Sequence, residues 1–555
     1  MNCAEVLLEG ILAMGAERVY GIAGTSNLAF LDALYDRRER VRYISCRHEQ
    51  VAASMADAEG RLTGIPGVAL THSGPGTVNA LISVGNAFKD CSPMMLISGA
   101  VKRRLKGADG MLEADHRRIF APLCKGVFRI EDAGKAQSVF SQAYATAMSG
   151  ARGPVLIEVP EDVWGEEAGE LPPFRLRPEH PPALHIEDVW RCLDTCEQAR
   201  RPLILAGGGV AYSGASSLLL ELVERLRVPV VTTGNGRGTI PETHPLCYGR
   251  AGFAGNALAD IPLREADFIL GLGCTISDMT TYEYTLPLQA EVELVNIDLP
   301  AMLSSHFRAS LTVEADVRIF LEEALQKTRG QPSCERKEWL ERLEEARGEW
   351  LRGVERAASS DKVPLSPARV IAELAALLPD DRIVTSGGGL HQLYAVSFLP
   401  CLKPLSWLYS VNFGSMGFGF PAAMAAKLVH PDRPVVAVLG DGDFLMTVQD
   451  LETAVREGIA VKVLVLNDNM YRVLNLRQRT QFRGRVIGTV HGNPELAALA
   501  RSFGATGLRV ERPEEISPSL REMLDSEGPA VVEVVSDPDD LPPLDLEAAL
   551  RMSEG

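Results

Sequence analysis

Apolar residues along this chain follow two alternating rhythms. Short unbroken runs of Val, Ile and Leu read as strands buried on both faces, and the longer stretches between them, with apolar positions at three- and four-residue spacing, read as amphipathic helices. Between Ala4 and Val159 the strand-like runs are VRYISC (41–46), GVALTH (67–72), MMLISGA (94–100) and PVLIEVP (154–160). Strands alternating with helices predict a parallel sheet wound with helices on both faces. A Pro-rich, acid-rich stretch at 165–184 then breaks both rhythms and reads as a linker. The alternation resumes with PLILAGGG (202–209), VPVVTT, DFILGLG and VELVNID, and runs to about Gly330. Residues 331–367, dense in Glu and Arg at helical spacing, predict a solvated helix that leads into a third unit containing DRIVTSG, PVVAVLGDGD, VKVLVLND and PAVVEVV. The predicted fold class is α/β, as three consecutive doubly wound parallel-sheet domains at 1–165, 185–330 and 366–540.

Length and charge narrow the picture. At roughly 100 to 200 residues per domain, a chain of 555 residues suits three or four units. A formal net charge of −17, without a long basic run, disfavours nucleic acid and anionic membrane as partners. No apolar run approaches the roughly 20 residues of a membrane span. The first residues, MNCAEVLLEGILAMGAE, carry acids where a signal peptide has a basic start, so a cytoplasmic protein is expected. Ten cysteines include no CxxC, and the closest pair, Cys192 and Cys196, sit one helical turn apart, so buried reduced thiols are expected.

Glycines cluster where the predicted strands end, the edge at which open parallel sheets hold ligands. The most specific cluster is GDGDF (440–444) followed by NDN (467–469), each closing an apolar strand. Asp441 and Asp468 then stand at neighbouring strand ends, able to share one hard cation through oxygen, while Gly440 and Gly442 admit a phosphate to the backbone amides. A divalent ion bridging to a diphosphate fits that pattern. AGGGV (206–210) lacks the spacing and the following acid of a dinucleotide fingerprint.

With GDG and ND in place, the chain resembles the thiamine-diphosphate enzymes, a family that includes acetolactate synthases and 2-oxo acid decarboxylases. The likeness runs from VYGIAGTSN (19–27) to GPAVVEV (528–534). It implies a pyrimidine-binding domain, a Rossmann-like middle domain and a diphosphate-binding domain. It also implies Mg²⁺ held by Asp441, the Asp468 side chain and the Met470 main-chain oxygen, with Asp468 standing where the family more often has Asn. SGGGLHQ (386–392) resembles the diphosphate-contacting segment and implies roles for Gly389 and His391, with Leu390 replacing a common Gln. Asp443 and Tyr471 fall beside these motifs and are expected to line the cofactor. In RHEQVAASMADAEGRLTG (47–64), Glu49 matches the glutamate that shares a proton with the pyrimidine N1′. NFGSMGFGFPAA (412–423) places Met416 as the apolar wedge that bends the cofactor and Gly414 as the carbonyl that accepts from its amine. In HSGPGTVNA (72–80), Asn79 is expected to fix the loop or the pyrimidine side, while His72 and Thr25 are expected to face substrate, as His and Ser do in benzoylformate decarboxylase.

The expected activity is acetolactate-synthase-like carboligation of a small 2-oxo acid, pyruvate, by a homodimer or homotetramer whose cofactors lie between the first domain of one subunit and the third of another. Decarboxylation without ligation, of benzoylformate or branched-chain type, and a cofactor-binding homologue without turnover are the alternatives; retention of Glu49, Asp441 and Met416 together argues against the last. Leu112, Ala100 and Arg477 depart from acetolactate synthase sequences and limit the substrate assignment, and the middle-unit segment GCTISDMTT (273–281) counts against FAD.

Overall fold

The computed structural model describes residues 1–179, 181, 183–286, 288–298, 308–328 and 336–542. Three six-stranded parallel sheets follow one another along the chain. The first contains β1 (Arg18–Gly21), β2 (Arg42–Ser45), β3 (Gly67–Thr71), β4 (Met94–Ala100), β5 (Gly126–Arg129) and β6 (Pro154–Pro160), in the order 2-1-3-4-6-5. The second contains β7 (Pro202–Ala206), β8 (Val230–Thr232), β9 (Cys247–Arg250), β10 (Phe268–Leu272), β11 (Glu291–Asn296) and β12 (Leu311–Glu314). Counted within that unit its order is 3-2-1-4-5-6, the arrangement of dinucleotide-binding sheets. The third contains β13 (Ile383–Ser386), β14 (Trp407–Tyr409), β15 (Val435–Gly440), β16 (Lys462–Asn467), β17 (Thr506–Val510) and β18 (Ala530–Val535), and repeats the order of the first. Strands β3, β4, β6, β7, β10 and β16 are buried along their whole length, which explains their unbroken apolar runs.

The first and third units share a core. The helix Glu49–Thr63 packs on the helix Gly419–Val429, both rich in Ala at the contact, and their residues belong to one buried cluster with β3, β15 and β16. A charged junction ties in the middle unit. Asp90, whose side chain is wholly buried, accepts from Arg61 Nη2 at 3.2 Å, Val411 N at 3.0 Å, Asn412 N at 3.1 Å, Asn412 Nδ2 at 2.8 Å and Asn235 Nδ2 at 3.3 Å. Arg61 is also held by both Asp57 oxygens at 2.8 Å. Such a cluster survives burial because every charge is paired and hydrogen-bonded.

The stretch 165–184 carries no helix or strand among its described residues, and Phe174 anchors it to the first unit through an edge contact with Phe140. The Glu/Arg-rich segment forms the helix Lys337–Ala358, but it is not fully solvated: Trp339, Leu343 and Ala346 are buried on the middle unit, and Trp339 Nε1 donates to Pro202 O at 3.1 Å. Its few apolar residues share one face, and that stripe was outweighed in the sequence by the charges around it. Nine of the cysteines lie among the described residues, all free, and all are buried except the half-buried Cys91.

Candidate active site

The third sheet reverses its winding between β13 and β15, and the crevice at such a switch point is where open parallel sheets bind ligands. A cavity of about 420 Å³ opens there. Its walls include Gly389, His391, Gly414 and Met416 from the β13 side. Gly440, Asp441, Gly442 and Asp443 from the end of β15, and Asp468, Met470 and Tyr471 from the end of β16, complete it. Sequence-distant motifs thus converge because β15 and β16 pair in parallel, Gly440 opposite Leu466.

Its electrostatics suit a cation and an anion bound together. Burial pushes the Asp441 carboxyl up, and burial together with the Asp441 charge pushes Asp468 up to about 7. A carboxylate raised by its neighbour's charge, as Asp468 is by Asp441, is relieved by a shared divalent cation. Among the described residues no three His, Cys, Asp or Glu side chains converge as a metal cage, so a cation here needs main-chain oxygen and the oxygens of its ligand as well. Facing donors supply the anion side: His391 Nε2, Gln392 Nε2 and Arg472 Nη1 are buried without hydrogen-bond partners, and all three residues line the cavity. Buried polar atoms are ordinarily paired, and these three donors border the cavity together with one unpaired acceptor, Asp443 Oδ2, 3.9 Å from His391 Nε2. Burial pushes His391 down to about 4, so it is a neutral donor. Gly442 is required by close approach, since a Cβ there would lie 2.6 Å from the Tyr471 ring and 3.3 Å from Met416 Cε. Asp443 is a brace: it accepts from Gly417 N at 2.6 Å, and burial pushes its carboxyl up to about 7.

Glu49, Asn79, His72 and Thr25 are not among the residues that line this cavity, and neither is any other residue of the first unit. They form a second cluster at the end of the first sheet. Glu49 begins its helix, is 8% exposed, and accepts from Asn79 Nδ2 at 3.0 Å. A Cβ on Gly76 would come within 2.9 Å of Glu49 Oε1, so the SGPG loop must be glycine there. His72 Nδ1 is held by Ser26 Oγ at 2.7 Å, and Ser26 Oγ in turn accepts from Ser73 N at 3.0 Å. Its neighbour Thr25 is exposed. Leu112 crosses over this loop in a left-handed conformation and its carbonyl accepts from Ser73 Oγ at 2.9 Å. The clusters touch through Gln50 Nε2, which donates to Met416 O at 3.2 Å.

Sequence reading missed several neighbours. Asn493 Nδ2 donates to Asp441 Oδ2 and, at 3.1 Å, to Asn467 Oδ1. His491 sits edge-on to Tyr471 with ring centroids 4.2 Å apart. Phe253, Ala254 and Met279 bring the middle unit to the cavity wall. No local motif announces these residues, because loops far away in sequence deliver them.

The middle sheet has its own crevice, between β7 and β10, with a cavity of about 140 Å³. In its glycine turn Gly207 N donates to Leu272 O and Gly209 N to Gly273 O, both at 2.9 Å. Arg250 fills the crevice from the other side, bonded to Ala254 O and Phe253 O and stacked 4.8 Å over Tyr409.

A cavity bordered by paired carboxylates and unpartnered donors thus lies at the switch point of the last of three α/β units. Family models assign the class: the N-terminal TPP binding, central and C-terminal TPP binding domains of thiamine pyrophosphate enzymes match residues 1–119, 189–324 and 387–534. The chain belongs to the thiamine pyrophosphate enzyme family, and within it the chain is acetolactate synthase-like. It is 33% identical to a probable acetolactate synthase large subunit of Methanocaldococcus jannaschii, covering 98% of this chain and 93% of that one. It is 32% identical to a probable acetolactate synthase large subunit of Methanococcus aeolicus (97% and 92% covered) and to the acetolactate synthase isozyme 3 large subunit of Escherichia coli (95% and 92%).

Proposed function

We propose that this chain is a thiamine-diphosphate- and Mg²⁺-dependent carboligase that decarboxylates pyruvate and joins the two-carbon unit to a second 2-oxo acid. The observation that carries the reading is that one cavity is bordered by Asp441 and Asp468 and by the unpartnered donors of His391, Gln392 and Arg472. In this reading Asp441, Asp468 and the Met470 carbonyl hold the cation, and the orphan donors hold the diphosphate. When bound, the cofactor supplies a nucleophilic carbon and an electron sink. Met416 would supply an apolar surface against it, the Gly414 carbonyl would accept from its amine, and Glu49 would hold the proton shared with N1′. Because the first unit contributes nothing to the cavity wall of its own chain, Glu49 is brought by a second copy, as a homodimer or a dimer of dimers in the cytoplasm. Among the described residues no helix is long and apolar enough to cross a membrane. A second reading, release of an aldehyde, is favoured by one observation: Ser26 fixes His72 at Nδ1 and thereby orients a group able to donate a proton.

Calorimetric titration with thiamine diphosphate tests the proposal. Binding should require Mg²⁺, and Asp441→Ala should weaken it by roughly a hundredfold or more while the fold persists. Chelator-indifferent binding in the wild type would remove the cation from the site.

A further inference from the structure

The cavity is lined by the carboxylates of Asp441, Asp443, Asp468, Asp537 and Asp540, with Arg472 among them. Asp441 and Asp468 place two carboxylates beside a ligand that is itself an anion, and burying unbalanced negative charge is expensive. Four residues beyond Asp468, at the first position of the helix Arg472–Gln481, stands Arg472. Its side chain is 6% exposed, and its Nε lies 3.9 Å from Asp468 Oδ2. Nη2 donates to Asp540 O at 3.4 Å, and Nη1 is buried without a partner while the residue lines the cavity beside His391 and Gln392. The spacing puts guanidinium and carboxylate on one edge of the chain as it leaves β16, so the two move together with the strand end.

We propose that Arg472 is a further binding residue of this site: its charge offsets the second carboxylate, Asp468, and its free Nη1 donates to the diphosphate. This rests on the thiamine-diphosphate reading above and deepens it. The guanidinium suits the task because its donors lie in a rigid fork, so that one edge can face the aspartate and another the anion. Asp468 and Arg472 then act as one neutral unit, and removing either partner alone is worse than removing both in sequence would suggest.

A double-mutant cycle reads this directly. Affinity for thiamine diphosphate at saturating Mg²⁺ is measured by calorimetry for the wild type, Arg472→Met, Asp468→Asn and the double variant, without any turnover. Arg472→Met alone should weaken binding at least thirtyfold. In the Asp468→Asn background the same change should cost at least tenfold less, because position 468 then carries no carboxylate. Arg472→Gln, which keeps a donor and side-chain volume, is run in parallel should the Met variant not fold, with the same contrast between backgrounds. Equal losses in both backgrounds, or wild-type affinity in Arg472→Met, overturn the proposal while the cofactor reading stands. A wild-type protein that binds no thiamine diphosphate with Mg²⁺ overturns the reading itself.

Discussion

Replacing Asp90 tests whether the three-unit junction positions the site. The carboxylate is the shared acceptor for a middle-unit side chain, a first-unit guanidinium and two backbone amides of the segment that leads to Met416. Asp90→Ala leaves Val411 N and Asn412 N without acceptors, at about 1 to 3 kcal/mol for each buried orphan. Arg61 retains both Asp57 oxygens, so its share of the loss is small. The sum, about 4 kcal/mol, sits within the range for breaking a buried charged pair. Asp90→Asn keeps an oxygen for the amides but turns an NH₂ toward the guanidinium, and should cost about half as much. In a chain of three units a single unfolding free energy is poorly defined, so the assay is amide hydrogen exchange at Val411 and Asn412. About 4 kcal/mol corresponds to roughly a thousandfold faster exchange, since each 1.4 kcal/mol is tenfold. Exchange within threefold of wild type at both amides in Asp90→Ala would refute the junction's role.

Two further outcomes are expected. Glu49→Gln should retain cofactor binding but slow exchange of the thiazolium C2 proton by roughly 10² to 10⁴, the range for one acid-base group; an unchanged rate by NMR would dismiss Glu49 as the proton-sharing residue. Asp260, buried in the middle unit and bonded to the Tyr282 hydroxyl and Gly252 N, is pushed up to about 6 by burial. Its folded value lies above its unfolded value, so the folded state prefers the protonated acid, and stability falls by at most about 3 kcal/mol as pH rises from about 4 to about 6. Asp260→Asn should flatten that slope in thermal melts, and an identical slope in the variant would show that the group does not titrate in this way.

The strand runs were legible because strands buried on both faces are mostly apolar, and GDGDF and NDN were legible because each motif lies whole at one strand end. The sheet orders were not, since nothing local says that β13 is flanked by β14 and β15 or that the middle unit follows the 3-2-1-4-5-6 order. The same limit explains the misses at the site. Asn493 reaches Asp441 from 52 residues away, and Asp90 meets Asn412 from 322 away, each through a loop whose path is set by tertiary packing. Thr25 and Ser26 show a finer limit: adjacent residues in a 3₁₀ turn point about 120° apart, and it is Ser26 that meets His72 while Thr25 is exposed. The helix Lys337–Ala358 shows the reverse, a composition so charged that three buried side chains on one face escaped notice.

The most direct measurement of the central claim is the carbon balance of pyruvate with purified protein, thiamine diphosphate and Mg²⁺. Carboligation consumes two pyruvates for each CO₂ released and leaves one 2-hydroxy-2-methyl-3-oxo acid, with no free acetaldehyde. One CO₂ and one acetaldehyde for every pyruvate consumed would contradict carboligation and leave a simple decarboxylase, and pyruvate untouched under conditions where the cofactor is bound would contradict turnover of this substrate altogether.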